Sequence, residues 1–178
     1  RSVSRGLGDV YKRQVENIIK SFHKFAQLTS KAVIYNGSDA NTCKAMEGIE
    51  GKERITFGKT PECDYYPADI RHVSGLETHF QLMHHGASLG EIVLHVAGEH
   101  NVLNATAAAA AAMYVGVSFE DVAKGLAEFR GAGRRFEKKG EVNGITLVDD
   151  YAHHPTELTA TLKAAMEMPF RKVWAVFQ

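Results

Sequence analysis

The stretch Gly144–Leu162, GITLVDDYAHHPTELTATL, decides the fold because it changes from the pattern of a strand to that of a helix within a few residues. The apolar run of the strand stops at Asp149 and Asp150. Pro155 suits the first position of the following helix, and Glu157 falls in its first turn, where the helix dipole favours a carboxylate. The stretch therefore predicts a strand, a loop rich in ionisable side chains, and a helix.

The segment KVWAVFQ (172–178) is apolar and predicts a further strand after this helix. Strand, helix and strand in this order form a βαβ unit with a parallel sheet. Upstream, hydrophobic periodicity and turn residues predict helices at 15–28, 39–46, 99–116 and 118–129, and strands at 31–37, 54–58 and within 65–96. The chain is therefore predicted to be an α/β protein.

The glycine-rich basic segment RGAGRRFEKKG (130–140) is the predicted boundary between two domains. We place one domain at 15–131 and the other at 132–178. Residues 1–14, RSVSRGLGDVYKRQ, are basic, lack sustained periodicity and resemble a non-native leader, so the fold prediction leaves them out. A native basic arm is the alternative interpretation of those residues.

Composition argues against several classes of function. The 21 Lys and Arg residues balance the 21 Asp and Glu residues, so charge indicates neither nucleic acid nor a membrane surface as partner. Cys43 and Cys63 have no metal-type spacing and fit a reducing compartment such as the cytoplasm. The sequence has no apolar run that approaches the roughly 20 residues of a membrane span.

The motif GEHNVLNA (98–105) is the first candidate binding site. In a helix that starts near Glu99, Asn101 and Asn104 stand three residues apart and share one face. A carboxamide offers a donor and an acceptor together, which matches the N6 and N7 edge of adenine. The alternative is that both asparagines only cap or turn the local backbone.

The two adjacent arginines of GAGRRFE (131–137) are the second candidate. Guanidinium groups bind phosphoryl oxygens bidentately, and the flanking glycines would let a hinge between domains close. The functional prediction for Arg134 and Arg135 is therefore a phosphate contact at the domain junction. The alternative is an ordinary solvated pair of charges.

The third candidate is the loop that follows Asp149 and Asp150. Doubly wound sheets hold ligands at the carboxyl ends of their strands, where an acidic residue commonly accepts hydrogen bonds from ribose hydroxyls. A metal site is disfavoured, because zinc needs three or four converging ligands and the adjacent His153 and His154 diverge. Polar residues that merely fill the loop are the alternative.

Taken together, three motifs in this order resemble the Mur ligases: GEHNVLNATAAAAAA (98–112), FRGAGRRFE (129–137) and VDDYAHHPTELTATL (148–162). The resemblance covers roughly 15–178. It favours the members that use UDP-N-acetylmuramate and L-alanine as substrates. Ligases that recycle the murein tripeptide share HHPT and remain open as an alternative, as do enzymes similar to folylpolyglutamate synthase.

The resemblance implies a fold and a reaction. Such ligases have a UDP-binding domain, a central ATPase domain with a P-loop, and a Rossmann-like C-terminal domain. Residues 15–131 would be the last part of the central domain, and 132–178 the first βαβ part of the C-terminal domain. ATP, with Mg²⁺, would convert the muramoyl carboxylate to an acyl phosphate, which the amine of the amino acid then attacks.

The resemblance also implies roles for individual residues. Asn101 and Asn104 would hold adenine, with His100 beside them. Arg135 would contact the nucleotide phosphates with support from Arg134. The strand-end loop would supply the remaining contacts, with Asp150 on the ribose, Tyr151 near the nucleotide and His153 near the incoming amino acid or the acyl phosphate.

One motif of the family, the P-loop G-x-x-x-x-G-K-[ST], does not occur in these 178 residues, nor do most of the expected metal ligands. We therefore expect the 178-residue chain by itself to lack ligase activity. Two hypotheses from other classes stay open at this point. One is a noncatalytic nucleotide-binding module, and the other is a metal-dependent hydrolase centred on DDYAHH.

Overall fold

The computed structural model describes residues 3–74 and 76–176. The helices are α1 (Val3–Leu28), α2 (Ala40–Ala45), α3 (Glu99–Tyr114), α4 (Phe119–Glu128) and α5 (Pro155–Met166). The strands are β1 (Ala32–Asn36), β2 (Glu53–Phe57), β3 (Tyr65–Ser74), β4 (Glu77–His84), β5 (Ala87–Leu94), β6 (Glu137–Val142) and β7 (Ile145–Asp149). We call α1–α4 with β1–β5 the sheet unit, and β6, β7 and α5 the hairpin unit.

Strands β1 to β5 form one mixed sheet in chain order. β1 and β2 run parallel, and the connection between them contains α2, whose N-cap Asp39 accepts a hydrogen bond from the backbone N of Thr42 (2.7 Å). β3 joins β2 through one parallel bridge, Phe57 to Tyr65, and then pairs with β4, which pairs with β5, as antiparallel hairpins. The last strand, β5, leads into α3, and thereby fixes where that helix begins.

The alanine-rich helix α3 covers the sheet. Its Ala105, Ala109 and Ala110 are buried in one cluster with Phe80 and Ile92 of the antiparallel strands. Small side chains let the helix backbone approach the sheet closely, so the position of the helix N-terminus is set by a well-packed core. The predictions of helices at 99–116 and 118–129 are confirmed in type and approximate extent.

The hairpin unit contains a strand that the sequence analysis missed. β6 pairs antiparallel with β7 through a two-residue turn at Asn143 and Gly144, whose φ angles are +51° and +76°. Such a turn favours Asn-Gly because both residues must adopt positive φ. Residues 143–144 thus carry a turn signal, but the basic, glycine-containing run before them is typical of a linker.

The predicted strand at 172–178 is wrong for the residues that the structure describes. Residues 173–176 have no strand structure, and β7 pairs only with β6 within the described ranges, so the predicted parallel βαβ pairing is not formed there. Trp174 and Val176 are 78% and 96% exposed. Strand geometry is stabilised by ladder hydrogen bonds to a neighbour, and no described strand lies beside this segment to supply them.

Helix α1 begins at Val3, twelve residues before the predicted start, and continues to Leu28. It packs on α2 through buried Ala26 and half-buried Ile19. Four large apolar side chains of this helix are mostly exposed, at 54–76%: Ile18, Phe22, Phe25 and Leu28. The interpretation of residues 1–14 as a leader remains a prediction. Among the described residues, no helix combines the length and apolar character needed to cross a membrane.

Asp64 links the end of β2 to the start of β3, and its ionised form is stabilised by Thr56. Its Oδ2 accepts hydrogen bonds from the backbone N (2.7 Å) and the Oγ1 (2.8 Å) of Thr56. Partial burial raises the pKa of Asp64, but the bonds from Thr56, with His85 and His84 nearby, outweigh burial and hold the pKa below its usual value. We expect Asp64→Asn to lower the free energy of unfolding by roughly 1–3 kcal/mol at pH 7.

This loss should depend on pH. Because the pKa of Asp64 is lower in the folded chain, its contribution is present above the unfolded pKa of about 4 and disappears as the pH falls through the folded value. Urea unfolding of the wild type and of Asp64→Asn should therefore differ at pH 7 and converge on acidification. Glu120→Gln, on the exposed side of α4, is the control. An equal difference at pH 7 and at pH 3 would contradict the assignment.

Candidate nucleotide site at the junction of the two units

The two adjacent arginines lie in a turn that Asp150 holds in place. Arg134 and Phe136 have φ angles of +57° and +47°, which side chains other than glycine rarely adopt. Asp150 Oδ2 accepts a hydrogen bond from the backbone N of Phe136 (2.8 Å), and Asp150 Oδ1 accepts one from the backbone N of Ala152 (2.7 Å). The carboxylate at the end of β7 thus fixes both the turn with the arginines and the loop that leads to α5.

The Arg134 side chain lies against the loop after β7. Its guanidinium stands 4.7 Å from the centre of the Tyr151 ring, and its Nε is 3.6 Å from Asp149 Oδ2. The backbone N of Tyr151 donates to the carbonyl of Arg134 (2.8 Å), which joins the two segments again. Tyr151 also meets the ring of His153 edge to face, at 5.3 Å. Arg134 of the second candidate motif therefore forms one surface with Tyr151 and His153 of the third.

Two carboxylates that were not assigned to the site hold its charged residues. Asp149 pairs with Arg134, and Glu157 Oε1 lies 3.9 Å from Arg135 Nη1. A third carboxylate, Glu137, holds the turn itself, because its Oε2 accepts a hydrogen bond from the backbone N of Arg134 (2.7 Å). A hydrogen bond with Lys139 and the one from the Arg134 backbone keep the pKa of Glu137 below its usual value.

Helix α5 begins with a cap made by His154 and Glu157. His154 Nδ1 accepts from the backbone N of Thr156 (3.4 Å), while Glu157 Oε2 accepts from the backbone N of His154 (3.4 Å). Pro155 occupies the first helical position, as predicted. His153, one residue earlier, is mostly exposed, and its Nδ1 lies 3.1 Å from the carbonyl of Tyr151. The two adjacent histidines thus have different tasks: His154 caps the helix and His153 faces solvent.

At the start of α3 the two asparagines also divide their tasks. Asn101 Nδ2 donates to the carbonyl of Ala97 (2.7 Å), so this half-buried side chain is fixed on its own backbone. Asn104 is exposed and its Nδ2 donates to Asn101 Oδ1 (3.2 Å). Asn101 therefore does what the local alternative proposed, and it orients Asn104, whose Oδ1 and second Nδ2 hydrogen can still pair with a ligand edge.

Gly98 is the N-cap of α3 and places His100 at this site. Its φ of +92° and ψ of 139° lie in a region that only glycine adopts readily. A Cβ atom at Gly98 would stand 2.7 Å from Cε1 and 2.8 Å from Nδ1 of the His100 ring. The backbone conformation therefore requires glycine, and a Cβ atom would in addition make the exposed His100 ring move.

The start of α3 meets the hairpin unit directly. Ala97 is buried together with Ala164 and Met168, and Phe136 packs against this cluster. Lys163 Nζ lies 3.5 Å from Glu99 Oε2 and forms an ion pair across the junction. Asp150 holds the backbone of Phe136. The apolar contact of Phe136 with the Ala97 cluster therefore connects the start of α3, where Asn101 and Asn104 lie, to the turn with the arginines.

The structure thus brings the predicted residues together as two groups on either side of this junction. One contains His100, Asn101 and Asn104, and the other contains Arg134, Arg135, Asp150, Tyr151 and His153. In the described ranges no hydrogen bond or ion pair joins a side chain of one group to a side chain of the other. Such an arrangement, with a carboxamide on one side and arginines on the other, fits a ligand that carries both a planar heterocycle and phosphates.

A divalent cation is not supported by the same residues. Among residues 3–74 and 76–176 there is no group of three or more His, Cys, Asp or Glu side chains arranged to hold a metal ion. Asp150 is already bonded to two backbone amides, and Asp149 and Glu157 face arginines. These carboxylates are therefore engaged by backbone amides and by arginines in the part of the chain that the structure describes.

Family models match both parts of the chain. The model described as the Mur ligase middle domain matches residues 9–112, and the model described as the Mur ligase glutamate ligase domain matches residues 134–178. The middle-domain match includes GEHNVLNA, and the second match begins at Arg134 and includes the loop after β7.

Curated proteins named UDP-N-acetylmuramate–L-alanine ligase are similar to most of the chain. The one from Caldanaerobacter subterraneus subsp. tengcongensis is 38% identical over 170 residues, which cover 94% of this chain and 37% of the relative. The one from Lawsonia intracellularis is 50% identical over 162 residues, which cover 88% of this chain and 35% of the relative. The chain therefore spans little more than a third of the length of these relatives.

Solved structures of Mur ligases have the same fold as this chain. UDP-N-acetylmuramate-alanine ligase from Thermotoga maritima superposes with a TM-score of 0.73 at 30% identity, over 88% of this chain and 35% of that one. A ligase from Acinetobacter baumannii that adds D-alanyl-D-alanine superposes with a TM-score of 0.74 at 29% identity, over 86% of this chain and 34% of that one. The predicted α/β class is confirmed.

Proposed function

The chain belongs to the Mur ligase family, and on that premise we propose that the whole protein joins L-alanine to UDP-N-acetylmuramate at the expense of ATP. The observation that carries this proposal is the name shared by the curated relatives cited above, at 38–50% identity over most of the chain. Peptidoglycan precursor synthesis in the cytoplasm is the corresponding process.

In this proposal the two groups of residues hold one nucleotide between the sheet unit and the hairpin unit. Asn104, oriented by Asn101, binds the adenine edge, with His100 beside it. Arg135 contacts the phosphates, while Arg134 stays against Tyr151. The geometry that supports this is the apolar contact of Ala97 with Ala164, which places the start of α3 next to the hairpin unit.

Asp150 has two tasks in the proposed site. Its hydrogen bonds to the Phe136 and Ala152 amides fix the loop, and each carboxylate oxygen retains a second lone pair that can accept from a ribose hydroxyl. His153 stands at the exposed rim of the same surface, where the incoming amino acid or the acyl phosphate would lie.

The chemistry of the proposed reaction is phosphoryl transfer followed by acyl transfer. A muramoyl carboxylate oxygen attacks the γ-phosphorus of ATP, and ADP leaves with the electrons of the broken P–O bond. The amine of L-alanine then attacks the acyl carbon, loses a proton and displaces inorganic phosphate. The residues of this chain contribute by position and charge, which are the main sources of rate in phosphoryl transfer. Magnesium would be held by residues other than those described here.

Phosphate release tests the proposed activity. The whole protein should release inorganic phosphate from ATP when both UDP-N-acetylmuramate and L-alanine are present, and much less when the murein tripeptide replaces L-alanine. The 178-residue chain alone should release none. Preference for the tripeptide would support the recycling ligase, and the absence of any amino-acid-dependent release by the whole protein would contradict the proposal.

The role of Asn104 can be tested by nucleotide preference. We expect Asn104→Ala to reduce the preference of the whole protein for ATP over GTP, measured as the ratio of kcat/KM values, by about tenfold, because a bidentate carboxamide contact discriminates bases by about 1–3 kcal/mol. Asn41→Ala, an exposed asparagine in the first turn of α2, is the matched control. An unchanged ratio in Asn104→Ala would mean that Asn104 only supports the helix start.

A further inference from the structure

Glu157, in the first turn of α5, is the point where several elements of the site meet. Its Oε2 lies 3.2 Å from the backbone N of His153 and 3.4 Å from the backbone N of His154, and both amides donate to it. The same oxygen is 3.6 Å from Nδ1 of the His153 ring. Its other oxygen, Oε1, faces Arg135 Nη1 at 3.9 Å. One carboxylate therefore connects the loop after β7 with the arginine that stands across from it.

The two oxygens of Glu157 are not equivalent. Two backbone hydrogen bonds restrain Oε2, while Oε1 faces Arg135 Nη1. The bonds from the His153 and His154 amides are also the main reason why the pKa of Glu157 is lower than usual, with smaller contributions from the charges of His153 and Arg135. The group is thus ionised at neutral pH, and one of its two oxygens is held by the loop amides.

Arg135 has an exposed side chain that faces this carboxylate. Its side chain is 55% exposed, and among the described residues Glu157 is its only ion-pair partner. A long exposed side chain without a fixed partner samples many rotamers, and a ligand that binds it must bear the entropy of ordering it. A restrained carboxylate at the base of the site reduces that cost.

We propose that Glu157 is a positioning residue that holds Arg135 in the orientation needed to contact the nucleotide phosphates. This inference rests on the proposed nucleotide site and extends it to a residue outside the predicted binding group. A role limited to capping α5 is the alternative, and the two roles respond differently to Glu157→Gln. Glutamine retains a side-chain acceptor for the loop amides, as in other capping boxes, but it loses the charge that attracts Arg135.

The test is a double-mutant cycle on ADP affinity, measured by calorimetry on the 178-residue chain. Glu157→Gln should weaken ADP binding about threefold to fivefold, the range expected for a partly exposed ion pair. In the background of Arg135→Ala the same change should alter ADP affinity by less than about 1.5-fold, because the side chain through which Glu157 acts is missing. Asp121→Asn, which removes a first-turn carboxylate in α4, is the matched control and should leave the affinity unchanged.

Each other result contradicts the proposal. Equal effects of Glu157→Gln with and without Arg135 would mean that the two residues act independently, and unchanged or tighter ADP binding would mean that the carboxylate does not assist the phosphate contact. Loss of folding in Glu157→Gln would show a structural role instead. If the wild-type chain binds no ADP, the proposed nucleotide site itself is wrong, whereas loss of L-alanine-dependent phosphate release alone contradicts only the proposed reaction.

Discussion

Arg135→Ala is expected to lower kcat/KM for ATP of the whole protein by about a hundredfold, while the stability of the chain changes by less than about 1 kcal/mol. The free energy of unfolding should be nearly unchanged because the Arg135 side chain is largely exposed. Its ion pair with Glu157, at 3.9 Å, is too long and too exposed to stabilise the fold much. The activity should fall because a phosphate contact strengthens as negative charge moves between the transferring oxygens.

Arg135→Lys separates charge from geometry. Lysine keeps the positive charge but lacks the planar fork that binds two phosphoryl oxygens at once, so it should recover only part of the lost activity. Arg71→Ala is the matched control, because Arg71 is also an exposed arginine in an ion pair, with Glu91, and belongs to strand β3. Steady-state kinetics with varied ATP would measure all three variants. Arg135→Ala with the activity of Arg71→Ala would contradict the phosphate role.

The second large effect is expected at Gly98. Gly98→Ala should destabilise the chain by roughly 1–3 kcal/mol, because the backbone at φ +92° and ψ 139° is accessible almost only to glycine. The new Cβ would also displace the His100 ring, which it would approach to 2.7 Å, and shift the start of α3 where Asn101 and Asn104 lie. We therefore expect ADP affinity to fall as well as stability.

Gly86→Ala provides the comparison. Gly86 also has a positive φ, +84°, in the turn between β4 and β5, but no heavy atom would lie within 4 Å of a Cβ atom placed there. Both variants should lose stability in urea unfolding, whereas only Gly98→Ala should lose ADP affinity. Equal ADP affinity of the two variants would contradict the position assigned to the start of α3 in the site.

The helix caps and the shared helix face of Asn101 and Asn104 follow from the sequence alone. Asp39 and Ser118 precede helices as caps, and Pro155 begins α5, because capping depends on residues within one turn of each other. The prediction that Asn101 and Asn104 share a helix face depends on the same short range and is met by the 3.2 Å hydrogen bond between their side chains.

The contacts that position the arginines could not be derived in this way. Asp150 reaches the amide of Phe136 across fourteen positions of sequence, in a turn where Arg134 and Phe136 adopt positive φ angles. No residue type at those positions announces such a conformation, since glycine is the usual signal. Hence Asp149 and Glu157, which pair with the arginines, were recognised only from the structure.

Predictions from the sequence were wrong for two strands, β6 and the predicted strand at 172–178. In both cases the outcome depends on whether a neighbouring strand is available to pair. Asn143 and Gly144 give a local turn signal, so β6 was predictable in principle. Residues 173–176 are as apolar as a buried strand, yet Trp174 and Val176 are exposed, because apolar composition alone cannot supply a neighbouring strand.

We propose that the start of α3, the turn with Arg134 and Arg135, and the loop after β7 together bind one nucleotide. The most direct measurement is an ADP titration of the isotope-labelled 178-residue chain, followed by two-dimensional NMR of backbone and side-chain N–H groups. We predict that signals from 98–104, 134–136 and 150–153 shift together, with one dissociation constant. Shifts confined to one of these segments, shifts centred elsewhere on the chain, or no shifts at millimolar ADP would contradict the claim.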